Sequence, residues 1–139
     1  MSVQFIPLSG CLASALALQL AFADSVLHLF QALFTPTPSD PLASYTAAEA
    51  TYDSYAPITM TAWLDPILAP GTGFMITSPE VQFSTGDADP VVPNVIGGCY
   101  LVDAAGKLRI SVIFTTPIPF QMAYQGLPIN LVYLFPTGV

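Results

Sequence analysis

The side chains that can do acid–base, nucleophilic or metal chemistry are few and widely spaced in this chain. His28 is the only histidine and has no cysteine or carboxylate cluster near it in sequence, so we expect a strand-face or interface position rather than a catalytic one. Cys11 and Cys99 lack the second ligand pair of a zinc site, and no Gly-x-Ser-x-Gly motif is present. We therefore predict no enzymatic activity and no cofactor.

Two glycine-containing segments suggest ligand sites at first sight. Asp87 and Asp89 follow Gly86, but Ca²⁺ takes roughly six to eight oxygen ligands and the EF-hand loop pattern is missing. Gly97 and Gly98 lack the Gly-Lys-Ser/Thr ending and the following helix of a phosphate loop. We predict a solvated turn at the first segment, a bulge or close backbone approach at the second, and no metal site.

The clearest structural element is a β-hairpin between Gly97 and Phe114. Asp103 can bond backbone groups two residues on, and Gly106 can adopt the left-handed conformation that closes a short loop. Alternation in the second strand puts both basic residues of the protein, Lys107 and Arg109, on one face. The other face is apolar, with Leu108, Ile110, Val112 and Phe114. We expect Lys107 and Arg109 to contact an acidic neighbour, with plain solvent exposure as the alternative.

Short apolar segments separated by proline and glycine predict the rest of the fold. The further strands are Val26–Gln31, Pro57–Trp63, Phe74–Thr77, Val81–Ser84, an edge-like Thr116–Met122, and Ile129–Phe135. A helix is predicted from about Ser9 to Asp24, and a short helical turn at Thr46–Ala50. The pattern is typical of one mainly β domain, an antiparallel β-sandwich or jelly-roll-like domain with one N-terminal apolar helix. Residues 1–34 hold the helix and first strand, and residues 35–139 the sandwich.

Charged side chains are scarce, and the few that exist are mostly acidic. The 139 residues include 9 acidic and 2 basic ones, which gives a net charge of -7. This balance argues against nucleic acid and anionic membranes as partners, because both need clustered Lys or Arg. Only 8% of the residues are charged, where soluble domains average about 25%. We expect partners to cover much of the surface, the plain alternative being a small β protein rich in Pro, Thr and Ser.

The N-terminal segment contains patterns that resemble export signals. Leu8–Cys11 looks like a lipoprotein box and Ala21–Asp24 like a signal-peptidase site, but no Lys or Arg precedes Lys107. The apolar run is also shorter than the roughly 17 to 25 residues of a membrane span. We expect a helix that is apolar nearly all round and packs partly against another subunit, or that caps an open end of its own sheet. The expected contact residues here are Phe5, Leu16 and Leu20.

Several features occur together in an order that indicates a family. They are the strand Val26–Phe30, the proline loop Thr35–Pro38 with Leu42–Tyr45, the block Ala50–Pro57 leading to Trp63, and the Gly98–Gly106 hairpin. In this layout the chain resembles a group of small tailed-phage virion proteins, over roughly Val26 to Pro119. Ser54 stands where relatives commonly have glycine.

The resemblance implies a structural virion protein that decorates or cements a phage capsid from its outer surface. Its partners would be other copies of itself, as a trimer or dimer, and a major capsid protein. Tyrosine and tryptophan rings suit such contacts, and the expected ones are Tyr45, Tyr52, Tyr55 and Trp63. One alternative is a tail or fibre component with a carbohydrate- or receptor-binding β module, in which Trp63 and a tyrosine stack on sugar rings. Another is an exported lipoprotein.

Overall fold

A computed structural model describes residues 8–69 and 73–136, and these residues form two helices and nine strands. In chain order the elements are α1 (Leu8–Phe22), β1 (Ser25–Gln31), α2 (Leu42–Ala47), β2 (Ile58–Met60), β3 (Ile67–Ala69), β4 (Gly73–Thr77), β5 (Val81–Ser84), β6 (Asn94–Val102), β7 (Leu108–Phe120), β8 (Gly126–Ile129) and β9 (Val132–Pro136). All strand pairs are antiparallel. The predicted mainly β fold with antiparallel sheets and an N-terminal helix is confirmed.

The largest sheet has four strands in the order β2-β1-β6-β7. Its inner strand β1 alternates as predicted: Leu27 and Leu29 are fully buried in the main core, and His28 and Phe30 lie on the opposite face. Because β1 is an inner strand, it belongs to the same core as the strands that follow residue 35.

The β6–β7 hairpin has the turn chemistry that the sequence predicts. The Asp103 carboxylate accepts hydrogen bonds from the backbone N–H of Ala105 (3.0 Å) and of Lys107 (2.9 Å). Gly106 has a φ of +83° and donates its N–H to the Asp103 carbonyl at 2.9 Å. Both predictions for this turn are confirmed, and the second strand begins at Leu108, one residue later than expected.

The strand β7 is longer than predicted because it includes the segment that the sequence assigns to a separate edge strand. Residues 118–120 pair with residues 94–96, and the ladder then shifts register opposite Gly97. Gly98 allows a close approach here, since a Cβ at this position would lie 2.1 Å from the Val112 carbonyl oxygen. The predicted bulge or close approach at the two glycines is confirmed, and β7 forms an edge of the sheet, as its prolines predict.

Two smaller sheets complete the β structure, with strand orders β3-β4-β9 and β5-β8. The short strand β3 was not expected, because the glycine- and proline-rich sequence around it predicts only a loop. The predicted single strand Ile129–Phe135 is divided between β8 and β9. At the division, the backbone N–H of Leu131 donates to Ser78 Oγ at 2.8 Å and its carbonyl accepts from the Ser78 N–H at 2.8 Å. These bonds take the place of the strand ladder at Leu131.

Both helices differ somewhat from their predicted bounds. Asp24 has a φ of +59°, and Ser25 Oγ donates to the Phe22 carbonyl at 2.6 Å, so α1 ends before Asp24. The helix packs on β4 and β9 of its own chain. Among the described side chains of α1, the buried ones lie on a single face of the helix. The short helix α2 begins earlier than the predicted turn, because the following segment joins β1: Ala50 N–H donates to the Leu29 carbonyl at 3.0 Å.

The buried apolar side chains form two clusters. The main one includes side chains from all three sheets and from α1, and its largest fully buried members are Phe22, Phe120, Leu27, Leu29, Met60, Ile76, Ile96 and Leu101. The second one lies on the other face of the four-stranded sheet, where Tyr45 of α2 packs on Phe30 and Tyr100. The four-stranded sheet is therefore covered by apolar side chains on both faces.

Candidate interaction surface

The helix α1 presents a row of exposed leucines, Leu12, Leu16 and Leu20, which we call the leucine ridge. These residues are four apart, so they lie along one side of the helix. They are 36%, 42% and 76% exposed. The helix has no charged residue, which leaves the ridge without the charged rim that usually borders a solvated helix face.

The orientation of α1 is fixed by contacts on the face next to the leucine ridge. The Phe22 ring packs against Trp63, with ring centroids 4.9 Å apart. Gln19 Nε2 donates to the Trp63 carbonyl at 3.0 Å and to Asp65 Oδ1 at 3.1 Å. Together with the buried Ala15, these contacts hold the helix on the sheet with its leucine ridge turned outward.

A second exposed apolar group lies at one end of the four-stranded sheet and comprises Leu33, Val91, Val92 and Val95; we call it the end patch. Leu33 is 99% exposed, and it lines a shallow cavity of about 420 Å³ together with Val95. The loop that carries the valines is anchored, because the Asp53 carboxylate accepts the N–H of Val91 at 2.8 Å and of Val92 at 3.1 Å. The patch is thus presented by ordered backbone.

The predicted contact residues divide into exposed and buried groups. Leu16 and Leu20 are on the leucine ridge, and Phe5 lies outside the described residues. Tyr55 is half-buried, and the remaining rings are part of the chain's own core: Tyr45, Tyr52 and Trp63. Trp63 is only 7% exposed, so it offers no free ring face to a sugar. Tyrosine and tryptophan rings are common both in protein cores and at interfaces. The sequence alone therefore does not distinguish a buried ring from an interface ring.

One residue of the predicted basic strip, Arg109, forms an ion pair within its own chain. Arg109 is not a free cation, because its Nε donates to Asp103 Oδ2 at 2.7 Å within the same hairpin. Backbone hydrogen bonds from Lys107 and Ala105 and the Arg109 guanidinium hold the pKa of Asp103 below its usual range. Lys107 lies in the turn before β7, with its side chain exposed. The hairpin therefore uses Arg109 to stabilise its own turn, although Arg109 is an exposed residue, as Lys107 is.

Sequence reasoning did not detect a polar cluster around Glu49. The Glu49 carboxylate hydrogen-bonds to His28 Nδ1, and it accepts a hydrogen bond from the Tyr55 hydroxyl at 2.8 Å. The Tyr55 oxygen in turn accepts the Leu29 N–H at 3.1 Å, and the His28 ring stacks on Tyr100 with centroids 4.7 Å apart. Burial raises the pKa of Tyr55, and it raises the pKa of Tyr100 to about 12.

This cluster fastens the segment after α2 to the strand β1. Gln31 N–H donates to the Ala48 carbonyl at 2.8 Å, and Gln31 Nε2 donates to the Glu49 carbonyl at 3.1 Å. A carboxylate that orients an imidazole also occurs in a catalytic triad, in which the imidazole is the base. The Cys99 thiol is no partner for it, because burial raises its pKa to about 12 and its neighbours are those of the main core. The cluster is therefore best described as a polar clamp between two segments.

The acidic turn with Asp87 and Asp89 also makes contacts within the chain. Asp89 Oδ1 accepts the Ala123 N–H at 2.7 Å, and the Gly86 carbonyl accepts the Tyr124 N–H at 2.8 Å. Within residues 8–69 and 73–136, no three His, Cys, Asp or Glu side chains are grouped in a way that could hold a metal ion. Neither helix in this part of the chain has the length and apolar character needed to cross a membrane.

Comparison of the chain with protein-family models, with curated proteins and with solved structures finds no match.

Proposed function

We propose that this protein is a structural subunit of a phage particle, which decorates or cements the capsid from its outer surface. The observation that carries the proposal is the leucine ridge, Leu12, Leu16 and Leu20, on a helix without charge. Exposed contiguous apolar surface of this kind is typical of a protein–protein contact. The resemblance to small virion proteins is the reason to expect this contact on a phage particle.

The proposal assigns the leucine ridge to the major capsid protein. Full burial of a leucine is worth about 1.5 to 3 kcal/mol, and the three leucines are partly exposed, so burial of the ridge contributes about 3 kcal/mol per copy. That is too little for tight binding by one copy alone. Several copies that are joined to one another gain affinity by multivalency, which is why we include a closed dimer or trimer in the proposal.

The finer architecture belongs to the same proposal: the sheets stack as a β-sandwich related to the jelly roll. Leu27 of the four-stranded sheet, Ile76 of the three-stranded sheet and Phe83 of the two-stranded sheet lie in one apolar cluster. Side chains from facing sheets that share one core are what sheet stacking produces. A rigid sandwich suits a cement protein, because it holds contact surfaces in a constant relative position.

The composition of purified particles tests the proposed function. Quantitative mass spectrometry of virions produced from the genome that encodes this chain is expected to recover its peptides in a fixed ratio to the major capsid protein. The ratio is expected to survive washing in high salt, since an apolar contact is not screened by ions. Absence of the chain from purified virions would overturn the proposal.

A further inference from the structure

The strand β7 leaves the longest open strand edge in the part of the chain that the structure describes. It runs for 13 residues, and its only strand neighbour there is β6. The other strands at the ends of the three sheets have at most 5 residues. An open edge is a row of backbone N–H and C=O groups with which a further strand can pair.

The middle of this edge lacks the features that usually prevent such pairing. Arg109 precedes the segment 110–116, and Pro117 and Pro119 follow it. Between them stand seven residues, Ile-Ser-Val-Ile-Phe-Thr-Thr, with no charge, proline or glycine. Charged residues, prolines and β-bulges are the common protection of edge strands. The ladder between β6 and β7 is bulged at Arg109 and at residues 114–117, so the unprotected part of the edge is the segment 110–113.

An apolar groove of about 450 Å³ opens beside the same part of β7. Val112 and Phe114 line it from the strand, and Leu127, Ile129 and Leu131 line it from the segment that contains β8. A strand that pairs with β7 would direct every second side chain toward this groove. The site therefore selects a strand in which apolar residues alternate over five or more positions.

The strand β7 of a second copy has this pattern. Ile110, Val112 and Phe114 are half-buried on its groove side, and they alternate with the exposed Ser111 and Ile113. Charge also favours a second copy at this edge. No residue of β7 is acidic, and Asp103 at the hairpin turn is paired with Arg109, so pairing of two β7 strands brings no carboxylates of the strands themselves together.

We propose that a second copy of this chain pairs with β7 through its own β7, antiparallel about a two-fold axis at Val112. This register pairs residues 110–114 of the two copies and leaves the bulge at Arg109 and the prolines of β7 outside the pairing. The two Arg109 side chains lie beyond opposite ends of this pairing, about 20 Å apart at ~3.3 Å per residue. That exceeds the screening length of about 8 Å at physiological ionic strength. The inference rests on the proposed function only in that a cement protein works as several joined copies.

Disulfide cross-linking tests the pairing and its register. In the proposed dimer, position 111 of one copy lies opposite position 113 of the other, with Cβ atoms about 4.5 to 5.5 Å apart. The double variant S111C/I113C is expected to give a covalent dimer on mild oxidation of the full chain. The matched control S111C/T115C places its cysteines out of register on the same face, and wild type controls for Cys11 and Cys99. If S111C/I113C gives no more covalent dimer than S111C/T115C, the proposal is wrong.

A charge placed on the edge gives an independent measurement. Ile113 is 56% exposed, so Ile113→Lys leaves the core of the single chain intact, which circular dichroism can verify. We expect this variant to lower the association constant in sedimentation velocity by about tenfold or more. Leu33→Lys places the same charge on the end patch and is expected to associate like wild type. Equal association of I113K and wild type would overturn the proposed contact.

The two proposals fail in different ways. If the chain is present in virions but neither self-associates nor cross-links, the β7 pairing is wrong and the cement function stands. If the chain self-associates through β7 but is absent from virions, the pairing stands and the cement function is wrong.

Discussion

Substitution of Gly98 by alanine tests the close backbone approach between β6 and β7. An added Cβ would lie 2.1 Å from the Val112 carbonyl oxygen and 2.4 Å from Phe30 Cζ. Ordinary contacts begin at 3.4 Å, so β6 and β7 would have to separate by more than about 1 Å, at a site where backbone atoms cannot rotate away. Forced overpacking of this kind costs about 3 kcal/mol.

The expected loss is large enough to measure by thermal unfolding. For a chain of this length, 1 kcal/mol corresponds to about 3 °C, so Gly98→Ala should lower Tm by about 10 °C. Gly106→Ala is the matched control, because its Cβ would meet nothing within 4 Å and the only cost is the positive φ of +83°. That cost is about 1 kcal/mol, or about 3 °C.

Two results would refute this reasoning. One is a Tm for G98A that is no lower than that of G106A. The other is full recovery of stability by adding Phe30→Leu, since this change relieves the ring contact and leaves the contact with the Val112 carbonyl.

Two further predictions concern polar side chains. Asn94 Oδ1 accepts hydrogen bonds from the N–H groups of Thr51 (2.6 Å) and Tyr52 (3.0 Å), so Asn94→Ala should lower the free energy of unfolding in urea by about 2 kcal/mol. The control Asn130→Ala, at an exposed position, should lower it little, and equal losses in the two variants would contradict the prediction. The lowered pKa of Asp103 stabilises the fold above the ordinary aspartate pKa, about 3.9, and this contribution is lost as pH falls through the lower folded pKa. Wild type should therefore lose more stability than D103N between neutral and strongly acidic pH, and identical pH profiles would exclude the assigned hydrogen bonds.

The features that the sequence predicted well are those with a local cause. The bonds of Asp103 and the left-handed Gly106 form within one turn, and the alternation in β1 needs only its own residues. The two adjacent glycines predict a bulge or a close backbone approach at Gly98, but the sequence does not say which atoms come close. A helix as apolar as α1 cannot be surrounded by so small a chain, which is the reason to expect contact residues at Leu16 and Leu20. Both leucines lie on the exposed ridge.

The features that were missed depend on segments distant in sequence. Glu49 meets His28 across 21 positions, and only the pairing of residues 48–50 with β1 brings the two together. Ser78 bonds Leu131 across 53 positions, so the division between β8 and β9 is not visible in the apolar run itself. The sequence also does not predict which face of α1 packs on the sheet. A helix that is apolar on all sides has no amphipathic pattern that would identify the buried face.

In the proposed function, the leucine ridge binds a capsid shell. The most direct measurement is cosedimentation of the purified protein with shells from which it has been stripped. We predict that wild type and S14K, which carries its charge at an exposed α1 position off the ridge, bind alike, and that L16K/L20K loses binding while keeping its fold. Binding of L16K/L20K equal to that of wild type, or no binding by wild type, would contradict the account.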